Sequence, residues 1–348
     1  MAKKNVAVLY RIILIVASIV FIVIFFEHLG TLEQAVAVLS QGAWFFVLAV
    51  FAIQFLGIIN KGAFYQSLYD FFGAKDSLKR LIVLSLSSNF VNLAAPAGGF
   101  SGMAIFISEA KRHGMNKSRA AFVNIFAYFL YYSVFMILLL FGLFYLLLNH
   151  RLYRYQIVTA AILFGMIFLL FIIIIAVLEE AARLKKLFSF VATVANFLTR
   201  TFVSKEIIKK SDIQTLSKEI NLCLHHIQEK WKGLWLPIFH VFLIEIIDLL
   251  TLYYLFLSFR YPIYLGILIT AYAIAVLFTL VSITPGGVGV VEATMILVLT
   301  SLRVPVELAT IVVFSYRIIT FWIPFVIGYF AFRSFQAEKI NRMENGSG

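Results

Sequence analysis

Residues 284–292 read TPGGVGVVE and interrupt one of the most apolar parts of the chain. A helix that breaks in contact with lipid leaves backbone N–H and C=O groups without hydrogen-bond partners, which costs several kcal/mol per group. We therefore expect this break to lie where protein or a wet cavity surrounds it, and a tight loop at the membrane surface is the alternative. Glu292 adds an ionisable group, and such groups inside a membrane are by default candidate functional residues.

A second break of the same kind lies at residues 96–102, which read PAGGFSG. This recurrence favours the cavity over the surface loop. Glycine-rich backbone at the start of a half helix lets an anion approach closely, and the free N–H groups there carry partial positive charge. The two breaks thus predict a site for a phosphate-like headgroup at Pro96, Gly98 and Gly99 and at Pro285, Gly286, Gly287, Gly289 and Glu292.

The composition indicates an integral membrane protein. Hydrophobic residues make up 62% of the chain, against about 45–50% in soluble globular domains. The expected fold is all-α, because a helix satisfies its own backbone in lipid. The net charge of +12 indicates cytoplasmic loops and anionic lipid headgroups, not nucleic acid. The single cysteine, Cys223, allows no internal disulfide and no cysteine-based metal site, and neither a metal nor a cofactor is expected.

About 20 apolar residues cross a bilayer, and this length defines the expected spans. The first of them follows a basic N-terminus, as a signal peptide does, but no small-residue cleavage site ends it, so we interpret it as an uncleaved span. Two apolar segments, 81–108 and 264–302, contain the breaks and do not fit a single span. Six segments fit: 10–28, 43–60, 120–148, 156–178, 235–258 and 308–331.

The distribution of Lys and Arg predicts the orientation of these spans. Both termini and the segments 61–80, 109–119 and 179–233 are expected on the cytoplasmic side of the cell membrane. The first broken segment then enters and leaves on one side and is too short to cross twice, so we expect a re-entrant hairpin. The second begins and ends outside, and two full crossings remain an alternative there.

The order of spans suggests an inverted repeat within one membrane domain, residues 1–348. Residues 1–148 and 156–331 each contain two spans, a broken hairpin and a further span, and the two halves start on opposite sides. Transporters with such repeats bind substrate near the broken helices, between the halves.

The segment 179–233 is the only sizeable polar one. From Ile213 its apolar residues recur at helical spacing, which predicts an amphipathic helix that lies either on the cytoplasmic headgroups or on the protein's own helices. The adjacent His225 and His226 point in two directions, so a solvated pair is favoured over a metal site.

A polar stripe precedes the first break. Ser85, Ser88, Asn89 and Asn92 fall on one helical face. They line either a path for a headgroup or a contact between helices through small polar residues. The nearby break favours the path, which makes Asn89 and Asn92 candidate headgroup ligands.

Four charged residues lie deep in the apolar segments. Such a charge costs about 2.5–3.5 kcal/mol even on the lenient insertion scale, so each is expected to have a partner or a function. Arg317 is expected to pair with Glu292, with Glu245 or Asp248 as alternatives, and a purely structural ion pair is a further alternative. Glu245 and Asp248, one turn apart, are candidates for an intramembrane charge relay. His240 either extends that relay or hydrogen-bonds a carbonyl, and we favour the second.

No catalytic constellation is present. The sequence contains no P-loop, nucleophile elbow or metal-type histidine motif. The segment 179–233 is too small for a typical catalytic domain. No catalytic residue is therefore assigned.

A C-terminal pattern carries a family resemblance. A Pro-Gly-Gly-x-Gly-x-x-Glu break is followed by Tyr-Arg, then by Trp-x-Pro and by a glycine. The residues are Pro285, Gly286, Gly287, Gly289, Glu292, Tyr316, Arg317, Trp322, Pro324 and Gly328.

In this pattern the chain resembles the flippase-like membrane domain of lysylphosphatidylglycerol synthases and its stand-alone relatives. The resemblance implies a lipid translocase that binds an anionic or aminoacylated phospholipid, and it is compatible with a homo-oligomer. Many relatives carry Arg and Glu at the first break, where this chain has no charge. The soluble aminoacyl-transfer domain is also absent from the sequence. The alternative function is the membrane part of a phosphatidylglycerol lysyltransferase that works with a separate aminoacyltransferase.

Overall fold

The computed structural model describes residues 43–94, 101–112, 114–148, 158, 161, 165, 168, 169, 210–282 and 285–344. The predicted span 10–28, most of the span 156–178 and the break residues Pro96, Gly98 and Gly99 lie outside this part of the chain. The described residues form helices and turns and contain no strand, which confirms the all-α membrane class.

Ten α-helices lie in the described residues. They are α1 (Trp44–Phe71), α2 (Leu78–Ala94), α3 (Met103–Ser108), α4 (Lys117–Leu148), α5 (Lys210–Lys230), α6 (Trp235–Ser258), α7 (Leu265–Val281), α8 (Val290–Ser301), α9 (Val306–Arg317) and α10 (Ile323–Glu344). A 3-10 turn, Trp231–Leu234, joins α5 to α6, and a second, Pro285–Gly287, precedes α8. A π-helical turn, Ile318–Trp322, joins α9 to α10.

Four helical stretches are long and apolar enough to cross a membrane. They are Trp44–Phe71, Lys117–Leu148, Ser217–Ser258 and Val306–Arg342. The last three contain the predicted spans 120–148, 235–258 and 308–331, and the first covers the predicted span 43–60 from residue 44. Their outer surfaces are apolar, as contact with lipid requires: the exposed side chains include Trp44, Phe45, Leu48, Ile137, Leu140 and Phe144.

Helix α1 differs from its prediction. The predicted span ends at residue 60, but the helix continues to Phe71. The added turns are held by tertiary packing, because Phe64, Leu68 and Tyr69 are all buried. Lys61 therefore lies inside a helix and not at the start of a loop.

The helices pack in three principal pairs. α1 packs on α6, α2 packs on α10, and α4 packs on α7. The backbones of the second pair approach closely at Gly328 of α10, where a β-carbon would lie 2.8 Å from the carbonyl oxygen of Leu86 in α2. Small residues allow such close approach of helix backbones in membranes.

The predicted amphipathic helix exists as α5, and it packs on the protein's own helices. Ile220, Cys223 and Leu224 are buried on its inner face. Glu219 forms an ion pair of 3.3 Å with Arg119 at the start of α4. Of the two alternatives, the described contacts favour the protein surface over the lipid headgroups.

One histidine of the predicted solvated pair is in fact packed. His225 is exposed, but the Nε2 atom of His226 lies 2.7 Å from the carbonyl oxygen of Phe71. The ring of His226 also contacts the rings of Phe71 and Phe72. The prediction for His226 was wrong because helical spacing alone does not reveal that α1 ends beside α5.

Charged residues tie the start of α2 and the end of α3 to α10. Arg80 at the start of α2 pairs with Glu109, which follows α3, and with Glu338 of α10 at 3.0 Å. Arg112 reaches Glu338 at 3.1 Å, and Arg342 reaches Glu109 at 3.4 Å. A network of this kind holds its elements more firmly than isolated surface pairs do.

The predicted orientation is testable by single-cysteine labelling. In a Cys223→Ser background, Lys111→Cys and Lys218→Cys should react with an impermeant maleimide only after the cells are permeabilised. Tyr264→Cys, at the start of α7, should react in intact cells. All three side chains are exposed, so access depends only on the side of the membrane. Labelling of Lys111→Cys or Lys218→Cys in intact cells would contradict the orientation.

Candidate functional site

A cavity of about 360 Å³ lies between α1, α2, α4, α6, α7 and α9. Its wall includes Gly286 from the second break and residues of the helix that precedes the first break. Many of the lining residues have polar or charged side chains. Its polar residues are Gln54, Lys61, Tyr65, Ser85, Ser88, Asn89, Asn92, Tyr128, Tyr131, Tyr132, Asp248, Tyr272, Thr279, Tyr316, Arg317 and Thr320.

The second break has the backbone that its glycines allow. Gly286 has φ of 60°, Gly287 of 71° and Gly289 of 84°, which are values that side chains with a β-carbon rarely adopt. α7 has ended before them at Val281. The carbonyl oxygen of Gly286 accepts a hydrogen bond of 2.9 Å from Nη2 of Arg317. This carbonyl of the break is thus bonded to protein, and Gly286 borders the cavity.

Arg317 and Glu292 form the ion pair that the sequence analysis predicted in preference to the alternatives. Nε of Arg317 lies 2.6 Å from Oε1 of Glu292, and both side chains are buried. Oε2 of Glu292 accepts the Gly289 N–H at 2.7 Å. The carboxylate of Glu292 therefore occupies the positive N-terminal end of α8. The sequence had suggested that an anion from outside the protein would bind there.

Within the described part of the chain, the guanidinium of Arg317 has donors that are not engaged in hydrogen bonds. Its carbon lies 4.2 Å above the ring of Phe321, and the group borders the cavity. Neither Nη1 nor the second N–H of Nη2 bonds to any described residue. These donors can bind an oxyanion in the cavity without breaking the pair with Glu292.

Glu245 and Asp248 have separate environments. Glu245 is buried and accepts a hydrogen bond of 2.7 Å from the hydroxyl of Tyr272. Asp248 borders the cavity and accepts a bond of 3.1 Å from Nε2 of Gln54. No direct hydrogen bond joins the two carboxyl groups, and the relay remains a prediction.

His240 makes a local contact, as favoured from the sequence. Its Nδ1 atom lies 2.7 Å from the side-chain oxygen of Asn60, whose Nδ2 donates to the backbone carbonyl of His240 at 2.9 Å. This reciprocal pair ties α6 to α1. None of the contacts described for His240 connects it to Glu245.

The polar stripe of α2 borders the cavity along its whole length. Asn89 lines it. Asn92 also holds the hairpin together, because its Oδ1 accepts the Gly102 N–H at 2.6 Å and its Nδ2 donates to the Tyr128 hydroxyl at 3.0 Å. Gly102 has no room for a side chain, since a β-carbon there would collide with the backbone of Ser88.

Sequence reasoning missed one wall of the cavity. Gln54, Ile58, Lys61 and Tyr65 of α1 all border it. Their spacing of four, three and four residues is that of one helical face, and this signal was available in the sequence. The described residues hold no group of three or more His, Cys, Asp or Glu side chains that would bind a metal ion.

Together, the helices and this cavity define a multi-pass α-helical membrane protein with a polar, cation-bearing chamber at a glycine-rich helix break. The sequence pattern of the family described as "Lysylphosphatidylglycerol synthase TM region" matches residues 8–328, and the chain belongs to this family. It is also 24% identical over 326 residues to "UPF0104 membrane protein MJ1595" of Methanocaldococcus jannaschii, an alignment that covers 92% of this chain and 93% of that protein. The predicted family is confirmed.

Proposed function

We propose that the protein transports phospholipids between the leaflets of the cell membrane as a flippase. The observation that carries this proposal is the cavity, which places Arg317 and a polar wall inside an otherwise apolar helical bundle. A volume of about 360 Å³ falls within the usual range for small-ligand sites, about 300–1,000 Å³. It accommodates a headgroup while the acyl chains stay in the lipid.

The chemistry of the cavity suits a phosphodiester. The donors of Arg317 that bond to no described residue would form charge-assisted hydrogen bonds with phosphate oxygens, and the side-chain amide of Asn89 offers a neutral donor. These groups replace the water that a headgroup loses on entering the membrane. The main barrier to lipid translocation, desolvation of the polar headgroup, is thereby lowered.

The pairing of the helices supports the inverted repeat that we propose as the basis of transport. In the repeat, α2 corresponds to α7, and α4 corresponds to the span made by α9 and α10. In each half, the first arm of the broken segment therefore packs on the last span of the other half: α2 packs on α10, and α7 packs on α4. Helices α1 and α6 occupy the same position in the two halves, and they pack on each other. Rocking of one half against the other would expose the cavity to each leaflet in turn.

A blocked cavity tests this function. Ile58→Trp on the cavity wall should reduce phospholipid translocation in vesicles at least tenfold, because the indole fills the space of the headgroup. Leu56→Trp is the matched control: it lies on the lipid-facing side of the same helix, 58% exposed, and should keep the wild-type rate. The readout is the accessibility of fluorescent phospholipids to an external quencher. Equal rates for wild-type and empty vesicles would refute the proposal.

The name of the family favours a second candidate, the membrane part of a phosphatidylglycerol lysyltransferase with a separate catalytic partner. Vesicles that contain only the purified chain separate the two. Translocation without any soluble protein supports the flippase. A requirement for an added aminoacyltransferase favours the second candidate.

A further inference from the structure

We propose that the cavity selects a zwitterionic phospholipid, whose headgroup carries one phosphate and one primary ammonium, as phosphoethanolamine does. This inference rests on the proposed lipid transport and names its substrate class. It follows from a carboxylate and an ammonium that border the same cavity and have no ion-pair partner among the described residues.

The unpaired carboxylate is Asp248. Gln54 donates to its Oδ1 at 3.1 Å and, through the same nitrogen, to the hydroxyl of Thr251 at 2.8 Å. These bonds fix the position of the carboxylate but leave its charge unbalanced, because Asp248 forms no ion pair with any described residue. A carboxylate at membrane depth needs a counter-ion, and an ammonium in the cavity supplies it.

The unpaired cation is Lys61. It also borders the cavity and forms no ion pair within the described part of the chain. Lys61 lies two helical turns after Gln54 on the same face of α1, which is about 10 Å along the helix axis. Gln54 contacts Asp248, so Asp248 and the exposed Lys61 border the same cavity at different heights and can meet the two opposite charges of one headgroup. Arg317 adds a second phosphate donor.

The remaining wall suits an ammonium. Tyr131, Tyr272 and Tyr316 border the cavity, and a tyrosine ring attracts an ammonium that lies over its face, the more so away from water. Of the charged residues in the wall, Arg317 is already paired with Glu292, which leaves one cation, Lys61, and one carboxylate, Asp248, for a ligand. A zwitterion supplies one partner to each of them.

The same charge count disfavours other headgroups. Phosphatidylglycerol has no ammonium and leaves Asp248 without a partner in the loaded cavity. Lysyl-phosphatidylglycerol brings two ammonium groups, for which the described wall offers one unpaired carboxylate. Uncompensated charges in a desolvated site are costly, so both lipids should be transported more slowly.

The test is a comparison of three lipids in vesicles that contain the purified chain. Phosphatidylethanolamine should be translocated at least tenfold faster than phosphatidylglycerol or lysyl-phosphatidylglycerol. Asp248→Asn should reduce the rate for phosphatidylethanolamine at least tenfold and bring its ratio to phosphatidylglycerol close to one. Asp248→Glu, which keeps the charge, should retain the preference. Asp70→Asn is the matched control, since Asp70 is exposed at the end of α1 away from the cavity.

Each other outcome has a distinct meaning. Transport of no lipid by the wild type would refute the proposed function itself. Equal transport of all three lipids, or an equal loss of all three in a folded Asp248→Asn protein, would overturn the selectivity alone. Wild-type uptake of water-soluble glycerophosphoethanolamine at the lipid's rate would show that the ligand is a free headgroup and would overturn the lipid as its source.

Discussion

Arg317→Leu is expected to destabilise the protein by about 3–5 kcal/mol, because it leaves the buried carboxylate of Glu292 without its partner. The two groups are 2.6 Å apart, and both are buried. The double variant Arg317→Leu with Glu292→Gln should recover most of this stability. The glutamine side chain would carry no charge, and its oxygen could still accept the Gly289 N–H.

Thermal unfolding in detergent, beside the vesicle transport assay, separates the two roles of Arg317. Recovered stability without recovered transport would assign the guanidinium to the headgroup. Recovery of both would defeat that role and leave only the structural ion pair. Arg112→Leu is the control. The side chains of Arg112 and Glu338 are each about 45% exposed, so loss of this ion pair should lower the stability by at most about 1 kcal/mol.

Gly286→Ala is expected to cost about 2–5 kcal/mol and to abolish transport. The left-handed backbone at φ of 60° disfavours any β-carbon by about 1–2 kcal/mol. The added methyl would also collide with the ring of Phe321, and overpacking of this kind costs about 1–3 kcal/mol. The displaced carbonyl of Gly286 would move Arg317, which donates to it.

Gly73→Ala is the matched control for the backbone contribution. Gly73 follows α1 with φ of 76°, and a β-carbon there would meet nothing within 4 Å. Its cost should therefore be only the backbone contribution of about 1–2 kcal/mol, and transport should be unchanged. A second change, Phe321→Leu, should recover part of the stability lost in Gly286→Ala. Equal melting temperatures for Gly73→Ala and Gly286→Ala would contradict the collision.

Composition and the charged residues in the apolar segments were sufficient to predict the membrane class and the pair of Arg317 with Glu292. Lipid offers no hydrogen bonds, so a Pro-Gly-Gly run or an Arg inside an apolar segment must have a protein partner. This strong constraint is why the pair of Arg317 with Glu292, and the polar stripe of α2, were predictable from one sequence.

The other wall of the cavity was decided by tertiary structure. Lys61 looks like an ordinary basic residue at the end of a span, and only the extension of α1 to Phe71 and its packing on α6 place it in the cavity. Asp248 and Glu245 have similar sequence surroundings, yet one borders the cavity and the other is buried against Tyr272. Periodicity gives the face of a helix on which a residue lies, but which neighbour covers that face depends on contacts between residues nearly 200 positions apart, such as that of Gln54 with Asp248.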